Sequence, residues 1–193
     1  MLSALILLRH LAPAETAPAT PAPPSTATQA AGTLATAPPI TAEAPPLTDD
    51  QCRRAWALAD FLQLYNPTEL ISGPGRGCAD TLAPLATRLD LRVTVADDLR
   101  SETPRLPGAH AAVWLAARAL RTLPDPRRTA VVCADSAVLS ALLVAVAARD
   151  GHDHSLHDTP LPTEDPADLP PGGGWVLHRD DGRLVGVKPL AVR

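Results

Sequence analysis

A 34-residue stretch built almost entirely of proline, alanine and threonine limits how this chain folds more than any other feature. Residues 13–46 hold nine prolines, eleven alanines and seven threonines, with only two charges, Glu15 and Glu43. Proline fixes φ and removes a backbone donor, and the stretch has neither a helical nor a strand period. It cannot bury enough apolar area to offset the entropy of ordering it. The expectation is a disordered or extended insertion at 13–46 with polyproline character. The core must then come from the twelve residues before it and from everything after it. That leaves roughly 160 residues, which suits a single domain spanning residues 1–193.

Those residues are apolar enough to build a core, since 46% of the chain is hydrophobic and 20% charged. The net charge is −4 and Lys188 is the only lysine. This balance argues against a nucleic-acid or anionic-membrane surface, which needs a basic excess. No apolar run approaches the roughly 18 residues of a membrane span. Cys52, Cys78 and Cys133 are too few and too scattered for a disulfide framework or a CxxC metal site. The apolar run near Met1 is followed by Arg9 rather than preceded by a basic residue, the reverse of a secretory leader. The expectation is a cytoplasmic protein with no nucleic-acid or membrane partner, no metal and no cofactor.

Strand and helix patterns alternate along the chain. Ala4–Leu8 is a short buried strand ending at Arg9-His10. Asp49 or Asp50 can cap a helix running through Phe61, with Cys52, Ala55, Trp56, Ala59 and Leu62 on one side. Glu69–Ser72 is a strand stopped by Gly73-Pro74-Gly75, and a helix follows from Arg76 to Leu89. A strand at Arg92–Val95 precedes a helix at His110–Arg121, with Val113, Trp114, Ala117 and Leu120 turned inward. Thr129–Ala134 is a continuous apolar strand of the kind covered on both faces. A helix at Val138–Arg149 comes next. A hairpin closes the chain, Trp175–His178 with Leu184–Val187, turned at Asp181-Gly182. The pattern predicts an α/β fold, a three-layer α/β/α sandwich around a mainly parallel sheet.

Chemistry in such sheets collects beyond the carboxyl ends of the strands. Arg9-His10, the segment 72–78 and Asp135 all lie at such ends. In sequence order, LILLRHLAPA, LTDDQCRRAWALADFL, ISGPGRGCADTLAPLA and VVCADSAVLSALL resemble four motifs of the histidine phosphatase (phosphoglycerate mutase-like) superfamily. The ending GGGWVLHRDDGRLVGVKPL is similar to the terminal hairpin of its short bacterial members. Those include phosphohistidine phosphatases and phosphatase domains joined to Nudix hydrolases.

The resemblance implies a histidine phosphatase fold and a reaction: hydrolysis of a phosphomonoester or phosphohistidine through a phosphorylated histidine. His10 takes the place of the nucleophile and Arg9 that of the first phosphate clamp. Arg76 stands at a secondary basic position with a phosphate-binding role. Glu102, in Leu99-Arg100-Ser101-Glu102, stands near the usual place of the proton donor. The implied partner is a small phosphorylated molecule or a phosphoprotein. Two family positions are substituted. The second catalytic arginine falls on Gly77, and the second catalytic histidine falls on Asp135. A carboxylate about 4 Å from a phosphate oxygen repels it by roughly 4 kcal/mol at an effective dielectric near 20. The expected outcome is weakened or lost catalysis, or a non-catalytic protein that binds a phospho-ligand. Read as ordinary structure, Arg76 is a solvated first-turn residue, Glu102 an exposed loop acid and Asp135 a helix cap.

His152-Asp153-His154, with His157 and Asp158 close by, has the ligand types of a divalent-metal cluster. It lies in a polar stretch beside Pro160 and Pro162, with no periodic element to fix its geometry, and is taken as a solvated loop.

Overall fold

The computed structural model describes residues 1–12, 46–151 and 169–190. Nearly all of the insertion at 13–46, and all of the His152–Asp158 cluster, lie outside the described residues. Strand β1 (Leu2–Arg9) is buried along almost its whole length, and its alternate residues serve opposite layers. Ala4, Ile6 and Leu8 pack with helices α1 (Asp49–Leu62) and α2 (Arg76–Leu89). Leu5 and Leu7 pack with α3 (Gly108–Leu120) and α4 (Ser136–Asp150). A strand with no polar face can lie only between two helical layers, which is the α/β/α sandwich.

The six strands are completed by β2 (Glu69–Ser72), β3 (Val93–Val95), β4 (Ala130–Ala134), β5 (Gly174–Asp180) and β6 (Arg183–Leu190). They form one sheet in the order β3-β2-β4-β1-β5-β6. The pairings β3–β2, β2–β4 and β4–β1 are parallel, whereas β5 and β6 join as an antiparallel hairpin on β1. Chain leaves β1 towards α1 on one face, while β4 leads into α4 on the other. The carboxyl ends of β1 and β4 therefore flank the point where the winding reverses, the crevice in which such sheets place ligands.

Several local expectations are corrected. Thr48, not Asp49 or Asp50, caps α1. Its hydroxyl accepts from Gln51 N–H, and Gln51 Oε1 accepts from Thr48 N–H at 2.7 Å. The two aspartates occupy the first turn, where the helix dipole favours them. On α1 the buried stripe is Ala55, Leu58, Ala59 and Leu62. Cys52 is exposed, and Trp56 lies half-exposed beneath the Arg88 guanidinium. On α3 the inward residues are Leu115 and Ala119, while Val113, Trp114 and Ala117 face outward. The α3 sequence is apolar on every side, so its period does not single out a face. Arg118 breaks the tie: its guanidinium donates to the carbonyls of Asp97 and Glu102, which fixes the rotation of the helix.

Candidate functional site

The register of β1 on β4 brings the site together. Leu8 lies beside Cys133 and Arg9 beside Ala134, so one residue further His10 meets Asp135. The two side chains are joined, His10 Nε2 to Asp135 Oδ1, at 2.8 Å. Asp135 occupies the N-cap position of α4 with extended backbone, and its carbonyl accepts from Leu139 N–H at 3.0 Å. Its carboxylate makes no capping bond, because it is directed at His10 instead.

Close contacts hold the chain around His10. Arg9 N–H donates to Gly173 O at 2.8 Å, and Gly172 N–H donates to Arg9 O at 3.1 Å. This approach requires a glycine at 174, where a Cβ would fall 1.8 Å from Leu7 O. Past His10, the Thr81 hydroxyl accepts from Leu11 N–H at 3.0 Å and donates to Gly77 O at 2.6 Å. On the other side, Gln51 Nε2 donates to Leu11 O at 2.9 Å. Residues 10–12 are thereby pressed onto the first turn of α2. A Cβ added at Gly77 would lie 2.5 Å from Ala12 Cβ and 3.6 Å from His10 Nδ1.

The electrostatics follow from this packing. The hydrogen bond from His10 holds the Asp135 carboxyl below its ordinary range, against the opposing effect of burial. A hydrogen bond from Ser101 and the charges of His10 and Arg9 act in the same direction. Asp135 is thus ionised at neutral pH. It must accept a proton from His10, so Nε2 is the protonated nitrogen. His10 Nδ1 is buried and has no hydrogen-bond partner among the described residues. The Arg9 guanidinium is buried and donates to the Leu169 carbonyl.

Arg9, His10, Gly77 and Asp135 thus converge at one place. Arg76 forms an ion pair with Asp80 one turn along α2, Nε to Oδ2 at 3.3 Å. Glu102 is 72% exposed, with its carboxylate 3.9 Å from Arg100 Nε. Among the described residues, Glu102 has no hydrogen bond or ion pair with His10 or Asp135. Ser101, one residue before Glu102, also belongs to the site through its hydrogen bond to Asp135, and a lone serine in a loop carries no sequence signal for that role. Ala12, as the close neighbour of Gly77, likewise carries no sequence signal.

No protein-family profile matches the sequence, and no characterised protein sequence matches it. Solved structures do match. The mycobacterial glucosyl-3-phosphoglycerate phosphatase superimposes with a TM-score of 0.55 at 17% identity, covering 98% of this chain and 97% of that one. A candidate phosphohistidine phosphatase, SixA, from Agrobacterium tumefaciens gives 0.53 at 19% identity, covering 96% and 97%. Phosphoglycerate mutase from Bacillus anthracis gives 0.52 at 13%, covering 95% and 91%. The mycobacterial phosphatase has also been seen with inorganic phosphate and with VO3. The chain is therefore similar in fold to phosphatases and a mutase. Among the described residues no helix is long and apolar enough to cross a membrane.

Proposed function

We propose that this chain, folded as the histidine phosphatases are, is a member whose phosphoryl-transfer site is closed by its own carboxylate. Its hydrolytic activity is accordingly reduced to near background. The observation that carries this reading is the 2.8 Å contact between His10 Nε2 and Asp135 Oδ1. A nucleophilic histidine needs a free lone pair facing phosphorus. Here Nε2 carries its proton towards Asp135, so it offers no lone pair to phosphorus, and Nδ1 is buried on the Gly77 side of the ring.

Admitting a phosphoryl group means displacing or opposing an ionised carboxylate. The repulsion is roughly 4 kcal/mol at 4 Å and an effective dielectric near 20. The lost charge-assisted hydrogen bond adds about 1.5–3 kcal/mol. At about 1.4 kcal/mol per tenfold, the sum is worth about four to five powers of ten in rate. Asp135 cannot take over as proton donor, because its carboxyl is held ionised. The ligand class that goes with this reading is a small phosphorylated molecule or a phosphoprotein. We place the protein in the cytoplasm, a setting that suits its free buried thiols Cys78 and Cys133.

The test is hydrolysis of an aryl phosphate by the purified protein, with acid-labile phosphoenzyme trapped in parallel. Wild-type turnover is expected near background. Asp135→His removes the carboxylate and should raise turnover by at least tenfold, and His10→Ala should abolish the gain. Robust wild-type turnover that requires His10 and falls on Asp135→His overturns the reading.

A further inference from the structure

We infer that Cys78 and Cys133 are a redox pair, which a peroxide closes into a disulfide joining α2 to β4. The two cysteines are far apart in the sequence, and the fold makes them neighbours. Both belong to the core layer between the sheet and helices α1 and α2, and their side chains are hydrogen-bonded to each other. The backbone holds them there. Gly73 N–H donates to Cys133 O at 2.8 Å, and a Cβ added at Gly73 would lie 3.6 Å from that carbonyl and 3.6 Å from Cys78 Sγ. The first turn of α2 therefore rests on the end of β4. Sulfur atoms in hydrogen-bond contact need to approach by only about 2 Å more to bond. Cys52, the third cysteine, is exposed on α1 and takes no part.

Their surroundings give the two thiols different roles. Cys133 is fully enclosed, whereas Cys78 keeps 4% of its surface. Burial pushes the Cys133 thiol well above its ordinary range, and the neighbouring Cys78 and the charge of Asp135 act in the same direction. The thiolate is the form that attacks, so Cys78 reacts first and Cys133 resolves. Access comes through the start of α2. Gly75 supplies no side-chain cap there, so the first turn opens locally at low cost. Hydrogen peroxide is small enough to enter.

The chemistry balances in two steps. Cys78 gives up its proton and its sulfur attacks one peroxide oxygen. The O–O bond breaks, leaving a sulfenic acid on Cys78 and one water. Cys133 Sγ then attacks the Cys78 sulfur, and the sulfenic oxygen leaves as a second water with the Cys133 proton. The sulfurs lose two electrons together, and the peroxide that accepts them becomes two waters. The new bond ties the first turn of α2, with Arg76 and Gly77, to the strand that leads into Asp135. It rests on the fold alone and holds whether or not the site turns over phosphate.

The test treats the folded Cys52→Ser chain with hydrogen peroxide, then unfolds it, alkylates it and maps its peptides. A Cys78–Cys133 cross-link with the loss of two hydrogen atoms is expected, reversed by dithiothreitol. By closing a long loop it should raise Tm by at least about 5 °C. Adding Cys133→Ala should leave a sulfenic acid on Cys78 that dimedone traps, and adding Cys78→Ala should leave Cys133 an unmodified thiol. If either added change prevents folding, the cross-link map of the Cys52→Ser chain decides alone. Full alkylation of both cysteines after peroxide overturns the proposal. So does over-oxidation of Cys78 without a cross-link, and so does a disulfide that lowers Tm.

Discussion

Gly77→Ala sets two opposing effects against each other at the centre of the site. Gly77 lies in the first turn of α2 with no positive φ. By helix propensity alone, alanine there should stabilise the protein by about 0.5–1 kcal/mol. Packing opposes this, because the new Cβ would lie 2.5 Å from Ala12 Cβ. Ala12 cannot simply swing away, since Thr81 and Gln51 hold Leu11 from both sides. Overpacking of this kind costs about 1–3 kcal/mol, so the clash wins and the net loss is about 1–2 kcal/mol. For a domain of this size that lowers Tm by roughly 2–8 °C. Thermal melts of Gly77→Ala, Ala12→Gly and the double variant form a cycle, and relief of the clash should appear as a coupling of about 1–3 kcal/mol. By the same geometry, Gly77→Arg builds a working clamp only when combined with Ala12→Gly and Asp135→His. A Gly77→Ala variant that melts above wild type, with no coupling to position 12, would refute the packing argument.

Stability should also depend on the charge of Asp135. Its folded-state pKa is depressed, chiefly by the His10 hydrogen bond, so the stabilisation is present above the unfolded value near 3.9 and is lost as pH falls through the lower folded value. The Tm gap between wild type and Asp135→Asn should be widest above about pH 4 and narrow below it, as thermal melts between about pH 2 and 7 will report. Replacing residues 13–46 with a short Gly/Ser linker should leave Tm within about 3 °C of wild type, as the composition of that stretch implies. Loss of a cooperative transition in that variant would show that the stretch packs on the core.

How much was legible depended on whether a residue's environment is local. Strands β1, β2 and β4 were readable because apolar runs between breakers leave no other way to bury them, and α2 because Gly75 precedes it and a full amphipathic stripe follows. The rotation of α3 was not readable. It rests on Arg118 finding carbonyls in the 97–102 segment, a contact between parts of the chain 16–21 residues apart. The same distinction divides the site. Arg9, His10 and Asp135 could be placed at strand ends from the sequence, since each follows directly on an apolar run. That His10 and Asp135 bond to each other depends on β1 and β4 being neighbours, and nothing local encodes an adjacency between positions 125 residues apart. Likewise, Gly77 read as a missing arginine, whereas the fold also makes it the residue that lets Ala12 approach.

Whether His10 can act as a nucleophile depends on whether Nε2 carries a proton. Long-range ¹H–¹⁵N correlation spectra of the wild-type protein near pH 7.5, with the imidazole assigned against His10→Ala, read this directly. The expected spectrum shows a protonated Nε2 that becomes available as a lone-pair nitrogen only when Asp135 is replaced by alanine. A wild-type spectrum with an unprotonated, pyridine-like Nε2 and the proton on Nδ1 would contradict it, because the nucleophile would then stand free beside the carboxylate.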